Sequence, residues 1–198
     1  YSLERPQQIP LVNVPKRTML GWGLSDRKYP TLWRINTEGN DQEQYWLDSC
    51  LEKLKELPLT EEEIDLYLDR LEIEADVIQY IGDRLGTCLF AYFNTFKHYI
   101  DLFWECGSIV GPGRGSATGF LSNYLLGITQ LNPIKWNLPW WRFLNKERAE
   151  LPDIDIDLAP SKRPKIFQEI RKERGELNLI QVATFGTEGT KSAILTAC

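Results

Sequence analysis

Gly111-Pro112-Gly113-Arg114-Gly115-Ser116 and, further on, Pro152-Asp153-Ile154-Asp155-Ile156-Asp157 are the stretches on which the reading of this chain turns. The apolar run Ser108-Ile109-Val110 leads into the first as a short strand, and a helix is expected after it over about 116–126, stopped by Gly127. Along an extended strand successive side chains alternate sides, so Asp153, Asp155 and Asp157 share one face and Ile154 and Ile156 the other. Adjacent carboxylates repel, and a divalent cation held by hard oxygen ligands relieves that repulsion. The glycine loop supplies the complement, because free N–H groups and a helix dipole favour an anion such as phosphate. Metal and phosphate together point to nucleotide chemistry.

Neither stretch fits the commoner motifs. No Lys-Ser/Thr follows the loop at Walker A spacing, and Gly111-x-Gly113-x-Gly115 is not the G-x-G-x-x-G of a dinucleotide fold. Two readings stay open for the loop: an anion cradle in which Ser116 caps the helix and Arg114 pairs with phosphate oxygens, or a tight strand-to-helix turn with a solvated Arg. For the acids, an EF-hand would need Gly and Glu where Leu158 and Pro164 stand, and a chitinase-type strand would need a catalytic Glu at Ala159. A solvated edge strand and a two-metal site remain.

Outward from these stretches, the 198 residues, 42% hydrophobic, allow one domain or two small ones with a packed core, and the chain reads as a soluble globular protein. A net charge of −5 argues against a free-standing nucleic-acid binder, although residues 161–198 hold seven Lys/Arg against four Glu. The four cysteines lack C-x-x-C spacing, so no zinc site or redox pair is indicated, and reduced thiols fit the cytoplasm. No stretch approaches the roughly 20 apolar residues of a membrane span. The ends suggest a piece of a longer chain.

Residues 1–45, with Pro6, Pro10, Pro15 and Pro30, read as an extended lead-in with one strand or turn. Trp46, Leu47, Cys50, Leu51, Leu54 and Leu57 predict a helix from Asp41 or Gln42 that Pro58 ends. Thr60 with Glu63 forms a capping box for a second helix running to Gly82 or Gly86, with Ile64, Leu68, Leu71, Ala75 and Ile78 buried. A third is expected from about Leu89 to Cys106, its Phe93, Phe96, Ile100 and Phe103 stripe read as core; His98 has no partner motif and is read as non-catalytic. The segment from Asn132 to Leu151, with Trp136, Trp140, Trp141 and Phe143, reads as an irregular, partly buried connection. A helix over about 164–175, with Ile166, Phe167 and Ile170 inward, a strand over 179–183 and a helix from Gly186 complete the expectation.

The order of motifs is more specific than any one of them. Val110 to Gly119, Tyr124-Leu125-Leu126-Gly127-Ile128-Thr129, Arg142-Phe143-Leu144-Asn145, Glu147-Arg148, Pro152 to Asp157 and Thr184-Phe185-Gly186-Thr187 follow one another as in the C-family DNA polymerases. The sequence resembles above all the alpha (catalytic) subunits of bacterial DNA polymerase III. Arg70-Leu71-Glu72-Ile73-Glu74 fits that family too, and the likeness is strong over about 65–195.

The resemblance implies an α+β fold: a nucleotidyltransferase palm like that of DNA polymerase beta, with helices on a small mixed sheet and incomplete at its C-terminus. Residues 1–22 would be a linker from a preceding domain, 23–183 the palm (helical approach 41–106, catalytic core 107–183) and 184–198 the start of the thumb. It implies transfer of a nucleotide from a dNTP to a primer 3′-hydroxyl. Asp153 and Asp155 would be catalytic, binding two Mg²⁺ ions with Asp157 beside them. Gly115, Ser116 and Arg142 would hold the triphosphate, with Arg114 a weaker candidate and Arg163 matching a family Arg. Implied partners are dNTP, primer–template DNA through a full-length parent, a sliding clamp and other replisome subunits, and no membrane. A third metal-binding Asp is expected beyond Cys198, so the isolated piece is expected to be inactive. Phe120 stands where the family usually has Ser, a change expected to act on helix packing, and Lys146 replaces a common Pro. Two other classes stay open: a non-catalytic metal–nucleotide binding module and a nucleotidyltransferase that uses no template.

Overall fold

A computed structural model describes residue 9 and residues 11–15 and 22–179. The chain divides into two compact units, Tyr1–Lys162 and Arg163–Cys198.

The described residues of the first unit form five α-helices. α1 (Pro30–Glu38) corrects the expectation of an extended lead-in. Pro30 sits at its first turn, where a missing N–H costs nothing, and Leu32 and Ile35 are buried. The cap comes from far away: both Glu72 carboxylate oxygens accept, from the backbone N–H of Thr31 at 2.8 Å and of Leu32 at 2.9 Å. α2 (Asp41–Glu56) starts on a capping box between Asn40 and Glu43, and Glu43 also pairs with Arg34 at 2.6 Å. α3 (Glu61–Leu85) carries the expected Thr60–Glu63 box and ends at Gly86. Leu71, Ala75 and Ile78 are buried as the spacing predicts, whereas Ile64 is exposed and Leu68 half-buried. Tyr67, Glu74, Val77 and Ile81 take up the rest of the buried face.

α4 (Phe90–Glu105) lies against α2. Trp46 meets Phe90 edge-on at 4.9 Å, and the Asn94 amide donates to the backbone carbonyl of Gln42 at 2.8 Å. The helix expected over 116–126 is two pieces. A 3-10 turn over Gly115–Gly119 is separated by extended Phe120 from α5 (Leu121–Leu125), which packs against both α2 and α3. Phe120 is fully buried and breaks the helix to join an aromatic cluster, 4.8 Å from Phe143 and 6.2 Å from Phe93. Residues 132–151 are irregular, with a 3-10 turn over Trp140–Arg142; Trp136 and Trp141 stay exposed while Phe143 is buried.

The small mixed sheet is not present among the described residues, so the α+β palm expectation is corrected to a helical unit. Among the described residues, pairing between the glycine loop and the acidic run consists of one antiparallel bridge, Val110 with Leu158, and the Gly111 N–H donating to the Asp157 carbonyl at 2.9 Å. Main-chain groups that a ladder would use are taken by side chains. The Ala159 N–H donates to Ser108 Oγ at 3.2 Å, the Tyr92 hydroxyl donates to the Pro152 carbonyl, and Pro152 has no N–H to offer. Side-chain alternation survives without the ladder: Asp153, Asp155 and Asp157 are exposed, Ile154 is buried and Ile156 half-buried.

In the second unit, α6 (Arg163–Arg174) begins within one residue of its expected start and ends before Gly175. Ile166 is its buried residue; Phe167 and Ile170 are half-buried. All of the strand expected over 179–183 but its first residue, and the whole of the helix from Gly186, lie outside the described residues. No described helix is long and apolar enough to cross a membrane.

Candidate functional site

The glycine loop and the acidic run lie side by side. Gly113, at φ +110°, holds a conformation that disfavours any side chain, and a Cβ there would stand 2.9 Å from the Thr129 methyl. The turn it permits carries Arg114 back over the acids. Arg114 Nη2 lies 3.5 Å from Asp155 Oδ1, and its Nε lies 3.7 Å from Asp157 Oδ1. Gly115 is next to the same acid, since a Cβ built on it would stand 3.8 Å from Asp155 Oδ2.

A second cluster opens beside this one. Ser116, Arg142 and Asp153 line one pocket of about 180 Å³ together with Asn145, Arg148 and Glu150. Among the described residues, none of those first three side chains makes a hydrogen bond or ion pair. Their polar groups are therefore available to a ligand. Arg142 is exposed on its 3-10 turn because the next residue, Phe143, is drawn into the Phe93–Phe120 cluster. The backbone N–H groups of Glu147 and Arg148 both donate to Asn145 Oδ1 at 3.1 Å, which shapes the far rim. Arg148 is balanced by Glu150 at 3.0 Å.

The structure thus brings Ser116, Arg142 and Asp153 to one pocket, and Arg114, Gly115, Asp155 and Asp157 to its neighbour. Arg163 opens α6 in the second unit and is exposed there. Three contributors escaped the sequence reading. Asn145 and Arg148 lie in motifs that had drawn attention only by their order. Tyr92 carried no signal beyond the aromatic density of its helix. Its hydroxyl holds the Pro152 carbonyl, one residue before Asp153, and burial, reinforced by the Asp153 charge, raises its pKa so that it stays a proton donor.

Divalent ions of the kind implied by the resemblance take hard oxygen donors, and the acidic run offers only those. Asp153, Asp155 and Asp157 are solvent-facing, and the cation nearest two of them is a guanidinium. The donor set fits such ions in chemistry and charge. It is not a closed cage: among the described residues no three His, Cys, Asp or Glu side chains converge as a metal cluster.

The family described as the bacterial DNA polymerase III alpha NTPase domain matches residues 44–198. The probable DNA polymerase YorL of Bacillus subtilis (strain 168) is 40% identical over 208 residues, covering 100% of this chain and 16% of that protein. A DNA-directed DNA polymerase of Bacillus phage SPbeta matches equally, 40% over the same length and shares. The DNA polymerase III subunit alpha of Staphylococcus aureus (strain MRSA252) is 40% identical over 162 residues, 82% of this chain and 13% of that subunit. The chain spans only about one-sixth or less of the length of these curated relatives. With more than half of its residues matched by one family, the chain belongs to the bacterial DNA polymerase III alpha NTPase-domain family.

Proposed function

We propose that the chain forms the nucleotide-binding part of a DNA-directed DNA polymerase that transfers a nucleotide from a dNTP to a primer 3′-hydroxyl. The observation that carries this reading is the convergence of Ser116, Arg142 and Asp153, without partners among the described residues, on one pocket beside the Arg114–Asp155–Asp157 cluster. A pocket offering a hydroxyl donor, a guanidinium and a carboxylate suits a metal-bound triphosphate.

Each group then has a task. Arg142 offers a guanidinium fork to phosphate oxygens, and Ser116 donates its hydroxyl to the same chain of phosphates. Gly115, at φ +65°, holds a backbone conformation that side chains rarely adopt, which lets the loop turn beside Asp155. Asp153 and Asp155, with Asp157 neighbouring, would hold two Mg²⁺ ions. Such ions, when bound, activate the attacking hydroxyl and stabilise the leaving pyrophosphate. Arg114 balances the acids and is a secondary phosphate contact. Tyr92 keeps Asp153 in place through the preceding carbonyl.

Primer extension by the full-length protein that carries this chain tests the reading. Incorporation that follows the template base supports it. Incorporation independent of template would favour a nucleotidyltransferase of another kind, and nucleotide binding without incorporation would favour a binding module.

A further inference from the structure

We propose that the pair of half-buried Arg70 and buried Glu74 of α3 is a positioning element for the triphosphate pocket, holding the wall that bears Ser116 and the wall that bears Arg142 in fixed relation. The inference rests on the nucleotide reading above and adds two residues that touch neither the pocket nor the acids.

One wall is the glycine loop and its 3-10 turn. It ends on Glu74, whose side chain is fully buried. Glu74 Oε1 accepts from the Leu121 N–H at 2.6 Å and Oε2 from the Ser122 N–H at 2.8 Å. The other wall is the segment that leads from Leu138 through the Trp140–Arg142 turn. Arg70 grips both: Nη1 donates to the Gly119 carbonyl at 3.2 Å and Nη2 to the Leu138 carbonyl at 3.3 Å. Arg70 Nη1 also stands 3.8 Å from Glu74 Oε1, so the carboxylate orients the fork.

The walls meet closely where the clamp holds them. A Cβ added to Gly119 would lie 2.5 Å from the Pro139 carbonyl oxygen, so only glycine lets the two backbones approach. Inside the first wall, Asn123 donates to the Ala117 carbonyl at 2.9 Å and Thr118 Oγ1 to the Gly115 carbonyl at 3.0 Å. These bonds carry the position of α5 back to Ser116. A buried ion pair is a poor source of stability, since well-packed apolar residues commonly do as well. What it supplies here is direction. A planar guanidinium spans two carbonyls at set angles, which an ammonium group does not.

The test is steady-state and burst kinetics of the full-length polymerase carrying this chain, with Arg70→Lys and Glu74→Gln. Burst amplitude counts active molecules, so a loss of folded protein separates from a change in the pocket. KM for the incoming dNTP is expected to rise about tenfold in each variant, while primer–template Kd stays within about twofold. Unchanged KM with a smaller burst overturns the inference and leaves a structural pair only. A wild type that incorporates nothing overturns the nucleotide reading and this inference with it. Should both variants fail to fold, hydrogen exchange in the wild type decides. Mg²⁺ with dATP must then slow exchange of the Leu121 and Ser122 amides, because coupling is reciprocal, and unchanged exchange overturns the inference.

Discussion

Arg114 Nη2 stands 3.5 Å from Asp155 Oδ1, which ties the charge of the glycine loop to that of the acidic run. Both side chains are about half exposed, so the pair is held weakly and is screened by salt. It competes with any cation for the acids. Arg114→Ala should therefore tighten Mn²⁺ binding by about two- to fivefold at low salt, with the gain shrinking as salt rises. Mn²⁺ titration followed by electron paramagnetic resonance checks this. Weaker binding in the variant would mean that Arg114 helps to build the site.

Tyr92 acts on the same run from beneath. Its hydroxyl bonds the Pro152 carbonyl, and Tyr92→Phe removes that bond alone. Loss of one such bond should cost about 0.5–1.5 kcal/mol of stability. Incorporation should fall more than the folded fraction does, because Asp153 loses its anchor. Parallel measurement of thermal melting and single-nucleotide incorporation distinguishes this from simple destabilisation.

Phe120 joins the two walls through the aromatic cluster with Phe93 and Phe143. Its side chain is fully buried, and Phe120→Ala should cost about 3–5 kcal/mol, read as a lowered denaturation midpoint. A loss near zero would show that the cluster repacks around a small residue.

Glu74 should give the fold a pH dependence of its own. Burial pushes its carboxyl up from 4.5 to about 7, against the pull of the Ser122 and Leu121 N–H groups and of Arg70. The folded chain then keeps a proton that the unfolded chain has released between those two values. This group's contribution to stability is thus complete below about pH 4.5 and fades as pH rises through about 7. Glu74→Gln, which has no proton to lose, should flatten the slope of melting temperature against pH in that window. An unaltered slope would assign the dependence to other groups.

Helices α2, α3 and α4 could be read in advance because their signals are local: apolar spacing, and for α3 a Thr60–Glu63 box spanning a single turn. α1 could not, since its cap is Glu72, far along the chain, and its proline looked like a breaker rather than a first-turn residue. The expectation of a sheet rests on the family resemblance, and the sharing of faces on alternation, which the acidic run does show. Alternation reports which side chains are buried, but a ladder also needs backbone partners, and here Ser108 and Tyr92 satisfy groups that a neighbouring strand would have used. Ser116, Arg142 and Asp153, which the motif series singles out, line one pocket. The roles of Arg70, Glu74 and Tyr92 were not legible in the sequence, because each acts through a backbone atom distant in sequence.

We propose that Asp153 belongs to the reaction centre of a DNA polymerase. The most direct test is primer extension by the full-length protein with Asp153→Ala, alongside primer–template binding by the same preparation. Incorporation should fall at least about a hundredfold with DNA binding retained. Extension at the wild-type rate would contradict it.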